Sequence, residues 1–437
     1  MADADTDNNR GALKASLAPA NRAGLLARAG PNSGSLLASP SADQRKMAEA
    51  DSMKTEVLII GGGLAGSAAA IGLARAGRQV TLLERDPQAR HKVCGEFLSL
   101  EALKYLEEMG VGVAEAGGVV IRAVRLAWGS TVKAAELPFR AMSLTRRRLD
   151  ELLLGCAEQA GARVMRGCQV ESLLHRDAVP GTGPLDSSIS PWRAIVSDAA
   201  PIETQAAFLA TGKHDLRGRA RPQGSRPGMV AFKMYWRLSQ AQAAALEGHV
   251  EIMLFRGGYA GLQMVEEGAA NLCCVVAQTE LQRLGGRWES LLAAMQKECS
   301  LLRQRLEGAR ALLARPLAVA PIPYGFVRES GLAPYQGVWA LGDQAVVIPS
   351  FTGDGMSIAL HSGRLAAKMY LRGETPERFQ KRLSHETSRQ MALATMVSRG
   401  LAWRPVRGLF FAAVEFWPGT LGVVARRTRI AAAFMQV

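Results

Sequence analysis

The 437-residue chain is long enough for two or three domains. At 48% hydrophobic and 21% charged it is not a mostly disordered chain, and 45 Gly with 19 Pro are too few for a fibre. Lys and Arg number 53 against 39 Asp and Glu, a formal net charge of +14, which admits nucleic acid, anionic membrane and acidic small molecules as partners. An aromatic content of 6% with no basic-aromatic stripe argues against nucleic acid, because single strands are usually held by stacking.

Residues 1–53 are rich in Ala, Ser, Asn, Asp, Gly and Pro and have no apolar period. They read as a disordered leader, since such a composition buries too little surface to offset its ordering entropy. The leader has six basic and six acidic side chains, so the positive excess belongs to the rest of the chain. It lacks the apolar core of a secretory signal, and Asp3, Asp5 and Asp7 disfavour a transit peptide. Met47 and Met53 are rival starts.

Thr55 to Ile60 is an almost wholly apolar run, as in a strand buried on both faces. Gly61-Gly62-Gly63-Leu64-Ala65-Gly66 follows, then a small-residue helix ending at Gly77 and a second strand from Gln79 to Glu84. Here a GxGxxG pattern sits in the context its chemistry needs. Gly61 allows the tight turn, Gly63 lets backbone approach a pyrophosphate, and Gly66 permits close helix–strand packing. The helix start offers unpaired N–H groups to phosphate. Glu84 stands where an acid grips ribose hydroxyls, which disfavours a 2′-phosphate.

Residues 119–127 and 131–137 alternate like a hairpin, and 146–160 reads as a helix. The stretches 228–238, 249–256, 259–265 and 270–277 alternate too, predicting a second, antiparallel sheet. Helices are expected within 279–306, a buried strand at 337–341 entering Gly342-Asp343, then helices over 355–371 and 376–396. The tail, 399–437, mixes Leu, Phe and Trp with Arg. Glu415 and Pro418 make it a poor spanning helix; it suits an interfacial segment on anionic lipid or a cover over the substrate domain. Cysteines 94, 156, 168, 273, 274 and 299 have no CxxC spacing. All but Cys94 read as reduced, mostly buried thiols of a cytoplasmic protein, one that the tail can bring to a membrane, with no metal site.

Three motifs carry a resemblance: the glycine-rich unit with Glu84-Arg85, Arg146-x-x-Leu149-Asp150-x-x-Leu153, and Leu341-Gly342-Asp343. Together they resemble the FAD-dependent oxidoreductases of the para-hydroxybenzoate hydroxylase fold, over residues 54–375. The resemblance implies an α/β fold: a Rossmann-like FAD-binding domain (54–115 with 140–218 and 330–375), an antiparallel-sheet substrate domain (116–139 with 219–329) and a helical C-terminal region (376–437). It further implies FAD contacts at Gly61, Gly63, Leu64, Ala65, Gly66, Glu84, Arg85, Arg146, Thr211, Gly212, Asp343, Gly353, Gly355 and Met356, with Asp343 on the ribityl chain. The family's middle Asp-Gly pair is Thr211-Gly212 here, so a partner reductase or a quinone stands beside NADH or NADPH as the electron source.

Within that fold, Val93-Cys94-Gly95-Glu96-Phe97-Leu98-Ser99 resembles the Cys-Gly segment of the geranylgeranyl reductase family. Cys94 reads as an acid near the flavin or as a small residue beside the Gly95 turn. Glu96 reads as a proton donor or as a solvated or helix-capping acid. His91 fits a phosphate or solvent contact, and His361 a packed or surface position. Tyr235, Tyr259 and Gln263 alternate along strands that should roof the substrate cavity. Lys233 and Arg237 share a face, as grips on an acidic substrate or as solvated edge charges. The expected activity is FAD-dependent hydroxylation of a hydrophobic small molecule in secondary metabolism. The alternatives are geranylgeranyl-reductase-like reduction of isoprenoid or other double bonds, and an electron-transfer flavoprotein-type dehydrogenase. The Trp-rich motif of flavin halogenases is missing.

Overall fold

The computed structural model describes residues 52–175, 191–222, 224–329, 336–402 and 404–416. Most of the expected leader and the far end of the tail lie outside these residues.

In chain order, β1 (Met53–Ile60) leads into α1 (Leu64–Arg75) and β2 (Val80–Glu84). Next come β3 (Phe97–Leu98), α2 (Leu100–Glu108), β4 (Val119–Trp128), β5 (Thr131–Ser143) and α3 (Arg146–Gln159). Four strands follow: β6 (Arg163–Arg166), β7 (Val170–His175), β8 (Trp192–Val196) and β9 (Ile202–Leu209). The next portion holds β10 (Arg226–Arg237), α4 (Gln240–Leu246), β11 (His249–Phe255), β12 (Gly258–Val265) and β13 (Ala269–Ala277). Helices α5 (Gln278–Arg283), α6 (Trp288–Glu298) and α7 (Ser300–Arg305) precede β14 (Arg310–Ala311), β15 (Leu317–Tyr324) and β16 (Phe326–Val327). Last come β17 (Trp339–Ala340), β18 (Val346–Val347), α8 (Gly355–Leu371), α9 (Pro376–Ala402) and α10 (Arg404–Phe416).

The first sheet runs β6-β2-β1-β9-β8-β7, with β17 also on β9. Its β6, β2, β1, β9 and β17 pair in parallel. This explains why β1 and β2 are apolar without alternation: helices cover one face and a second cluster (Leu58, Ile60, Leu83, Ala207) fills the other. The second sheet runs β14-β10-β13-β12-β11-β4-β5-β3, with β15 on β10. It is not wholly antiparallel, as the alternation had predicted. Strand β11 lies parallel to β4, from His249 opposite Ala123 to Leu254 opposite Trp128. A period of two sets the face of a strand and carries no information on neighbour direction.

Alternation does decide which residues meet which layer. On β10, β12 and β13 one set (Phe232, Met234, Leu262, Leu272, Cys274) packs under α5–α7. The other set (Lys233, Tyr235, Gln263, Asn271, Cys273) faces the opposite way, toward the 92–96 segment that several of these side chains bond. Two helices of small residues hold the FAD-type domain together. A Cβ at Gly363 of α8 would collide with the Ala65 carbonyl of α1, and one at Gly72 would sit 3.1 Å from Ala367 Cβ. The helix expected to bind pyrophosphate is thereby fixed against the helix expected at the flavin.

Candidate active site

The glycine-rich turn has the predicted geometry. Gly61 has φ of 109°, in the region that favours glycine, and Cβ atoms there or at Gly66 would overlap backbone carbonyls of Ala210 or Gly61. Around Gly63, among the described residues, Arg146 Nη2 at 3.5 Å is the one neighbour within 4 Å of a notional Cβ. No side chain caps α1, and no acid occupies its first turn. Its N–H groups are therefore available to a phosphate, and these residues fit FAD. Glu84 is held in place by two backbone donors, Gly62 N at 2.8 Å and Asp86 N at 3.1 Å.

Arg85 points outward and lies 3.7 Å from Asp86. Leu64 and Ala65 are buried in the first turn of α1. Arg146 grips Asp150 with two hydrogen bonds, 2.8 and 3.0 Å, and Lys92 adds a third at 2.8 Å. Burial works against the Asp150 carboxylate, but Arg146 and Lys92 outweigh it and hold its pKa below the usual range. The motif Arg-x-x-x-Asp is thus a buried clamp that locks the start of α3.

At the other end, Thr211 donates to the His214 carbonyl at 2.6 Å, and Gly212 takes a left-handed φ of 63°. The 212–215 loop is latched to the Gly342–Gln344 turn: Gln344 Nε2 donates to the Gly212 and His214 carbonyls at 2.9 and 3.0 Å. Arg221 donates to Asp215 at 2.6 Å and to the Asp343 carbonyl at 2.6 Å. Lys213 Nζ lies 3.7 Å from the Asp343 carboxylate. Gly353 has φ of 76° and packs against Phe97, while Gly355 and Met356 open α8. The N-cap residue of α8 is the buried Asp354, and the first turn after it holds no acid.

The structure gathers Cys94, Glu96, Tyr235 and Gln263 in one place and leaves Tyr259 beside it. Five consecutive carbonyls of the Lys92–Glu96 segment accept side-chain donors. Lys92 O accepts from Lys233 at 3.2 Å, and Val93 O from Lys213 at 3.3 Å. Asn271 donates to Cys94 O and Gly95 O at 3.1 and 3.0 Å, and Gln263 to Glu96 O at 2.9 Å. Glu96 has φ of 60°, uncommon for a residue with a Cβ, and its carboxylate is fully buried. That carboxylate lies 2.5 Å from Lys233 Nζ and accepts from Tyr235 at 2.8 and 2.9 Å and from Arg146 N at 2.7 Å.

These contacts correct several expectations. Glu96 is not solvated, and the helix it caps is α3 rather than the one that follows it in sequence. Lys233 is neither an edge charge nor a free grip on substrate: it is fully buried, 4.4 Å over the Tyr235 ring. Arg237 bonds the Glu267 carbonyl at 2.6 Å. The Tyr235 hydroxyl and the Gln263 amide are engaged with Glu96. Tyr259 bonds Ser350 and packs edge-on against Phe351, 5.3 Å between centroids.

His361 is packed, not exposed. It links Tyr105 of α2 (2.9 Å) to Glu386 of α9 (2.7 Å), with Arg382 on the far side of Glu386 at 2.8 Å. Sequence reasoning had no signal for this clasp, which joins three helices, or for Asn271, Lys213 and Gln344, each of which acts on a partner more than a hundred residues away.

His91 packs at 4.7 Å from Tyr235. Burial, then the charges of Lys233 and Arg147, push its pKa down to about 4. Burial, then Arg85 and Lys213, do the same to His214, also to about 4. The folded protein therefore keeps both imidazoles neutral while the unfolded chain protonates them near the ordinary value of ~6.5. Their stabilisation is complete above that value and is lost as pH falls toward 4. The urea midpoint should drop across this window, and His91→Gln with His214→Gln should flatten the drop.

The pattern of the FAD binding domain family matches residues 54–181. Menaquinone reductase of Mycobacterium tuberculosis is 26% identical over 329 residues, 72% of this chain and 76% of that protein. Among solved structures, the flavin-dependent brominase Bmp2 superposes with a TM-score of 0.70 at 16% identity, over 86% of this chain and 93% of its own. A geranylgeranyl bacteriochlorophyll reductase-like protein from Thermoplasma acidophilum superposes with a TM-score of 0.64 at 17% identity, over 88% and 96%.

Proposed function

We propose that this chain, which is an FAD-binding oxidoreductase of the para-hydroxybenzoate hydroxylase fold, reduces a carbon–carbon double bond in a hydrophobic, isoprenoid-bearing acceptor. The observation that carries the reading is the fixed Cys94-Gly95 segment, in a chain similar over most of its length to a menaquinone reductase. When bound, FAD supplies the hydride. Leu64, Ala65 and Gly66 in α1 with Glu84 and Arg146 hold its nucleotide half; Asp343, Gly353, Gly355 and Met356 face its ribityl and ring end. The Cys94 thiol gives a proton to the carbon that does not receive the hydride.

On the second sheet α10 covers an apolar cluster. Leu126 and Leu254 are buried there with Phe411 of α10, and Ile252, Trp128 and Phe351 pack around them. On its other side α10 exposes Leu409, at 72%, close in sequence to the basic residues of the tail. That arrangement supports seating on an anionic lipid surface that stores the acceptor. Among the described residues no helix is long and apolar enough to cross a membrane. NADH, NADPH or an electron-donor protein supplies the electrons.

The test is to reduce the FAD-loaded protein anaerobically and add an isoprenoid quinone in detergent. A product that keeps two added hydrogens in its isoprenoid chain after the quinone ring is reoxidised is expected, and Cys94→Ser should lower turnover about a hundredfold with FAD binding kept. A product that instead gains oxygen, only in air, overturns the reading and selects hydroxylation.

A further inference from the structure

We infer that Lys233 is a positioning residue: through Glu96 and the Lys92 carbonyl it holds the Lys92–Glu96 segment, and with it Cys94, in one conformation at the active site. The inference rests on the reading that Cys94 works beside the flavin. A run of five backbone carbonyls outside any helix, each taken by a side chain, ties the segment at every residue, and the donors that hold it are themselves drawn largely from buried side chains. Here the donors come from β10, β12, β13 and the 211–215 loop, so the segment is a rack slung between the two sheets.

Lys233 alone contributes twice. It bonds the first carbonyl of the rack and neutralises the carboxylate at its last residue. That carboxylate in turn caps α3 at Arg146 N, beside the Arg146–Asp150 clamp at the glycine-rich turn. Glu96 also keeps an uncommon left-handed backbone, which persists only where surrounding contacts over-determine it. Remove the ammonium and a buried carboxylate loses its counter-charge, a carbonyl loses its donor, and the left-handed turn loses what holds it.

The experiment is site-resolved alkylation of the full-length protein. Cys94 is partly exposed, as are Cys156, Cys273 and Cys168, the last between β6 and β7, and burial pushes the Cys273 thiol up to about 12. Lys233→Met is expected to raise the labelling rate of Cys94 by about tenfold, through local opening of the segment, with Cys168 unchanged. Glu96→Gln should do the same; it keeps the side-chain volume and an acceptor for Tyr235 and Arg146, which makes it the second variant to read if Lys233→Met does not fold. An unchanged Cys94 rate in the folded variant overturns the inference, as does a parallel rise at Cys168, which would mean general loosening. Protection of Cys94 by FAD in the unmodified protein tests the underlying reading separately. If FAD does not protect Cys94 but the variants still expose it, the reading fails and the rack stands.

Discussion

Gly66→Ala yields a protein that no longer retains FAD. A Cβ on Gly66 falls inside the Gly61 carbonyl oxygen and 3.1 Å from Ala210 Cβ. The first of these is backbone, so no rotamer change relieves it, and α1 must move away from β1 and the 211–212 turn. Overpacking of this kind costs about 3 kcal/mol or more, and as that strain falls on the phosphate end of α1 it weakens FAD by about a hundredfold. Flavin fluorescence titration reads the change directly. Gly155→Ala is the control. It lies within α3, and none of the described residues outside the helix stands within 4 Å of its Cβ position, so alanine there should stabilise the protein by about 0.5–1 kcal/mol and leave FAD binding alone. If Gly66→Ala binds FAD as tightly as the unmodified chain, the glycine-rich turn is not the pyrophosphate site.

The second large effect concerns the other side of the roof. Glu251 of β11 is fully buried among apolar residues and accepts from Arg305 on both oxygens, at 2.8 to 3.1 Å, and from Arg125 at 2.8 Å. Glu251→Ala leaves the buried Arg305 guanidinium without its counter-charge, which costs about 3–5 kcal/mol. The melting temperature should fall by about 10 °C, at about 2–4 °C per kcal/mol for a folded body of 150–250 residues. Replacing both partners, Glu251→Leu with Arg305→Leu, should cost less than Glu251→Ala alone, because no buried charge is stranded. A double variant at least as unstable as the single one would show that the pair itself, and not the stranded cation, carries the stability.

Much of the nucleotide end was legible without the structure, and the reason is local. A buried parallel strand, a glycine turn, a helix of small residues and an acid about 20 residues on are all set by spacing along one short stretch. Leu149, Leu153 and Leu154 likewise placed α3 with its buried face, and the apolar run ahead of Gly342 placed the Asp343 turn. Thr211 marked a departure from the family pattern, and the structure shows what occupies that corner: a loop latched by Gln344 and Arg221, with Lys213 reaching both Asp343 and the Val93 carbonyl.

The chemistry-bearing end was not legible, because its meaning depends on pairs. Taken alone, Lys233 reads as an edge charge and Glu96 as a solvated acid, since burying either one unpaired is prohibitive. Only when β10 is laid across the 92–96 segment do the two come within 2.5 Å, with Tyr235, Gln263 and Asn271 completing the shell. The same holds for Tyr105, His361 and Glu386, drawn from three helices. The sequence by itself determined the cofactor class, because phosphate recognition is built from consecutive backbone and its spacing is short. The tertiary structure alone decided which side chains are spent on one another and which remain for substrate, because a buried charge is stable only beside a partner that the linear chain does not reveal.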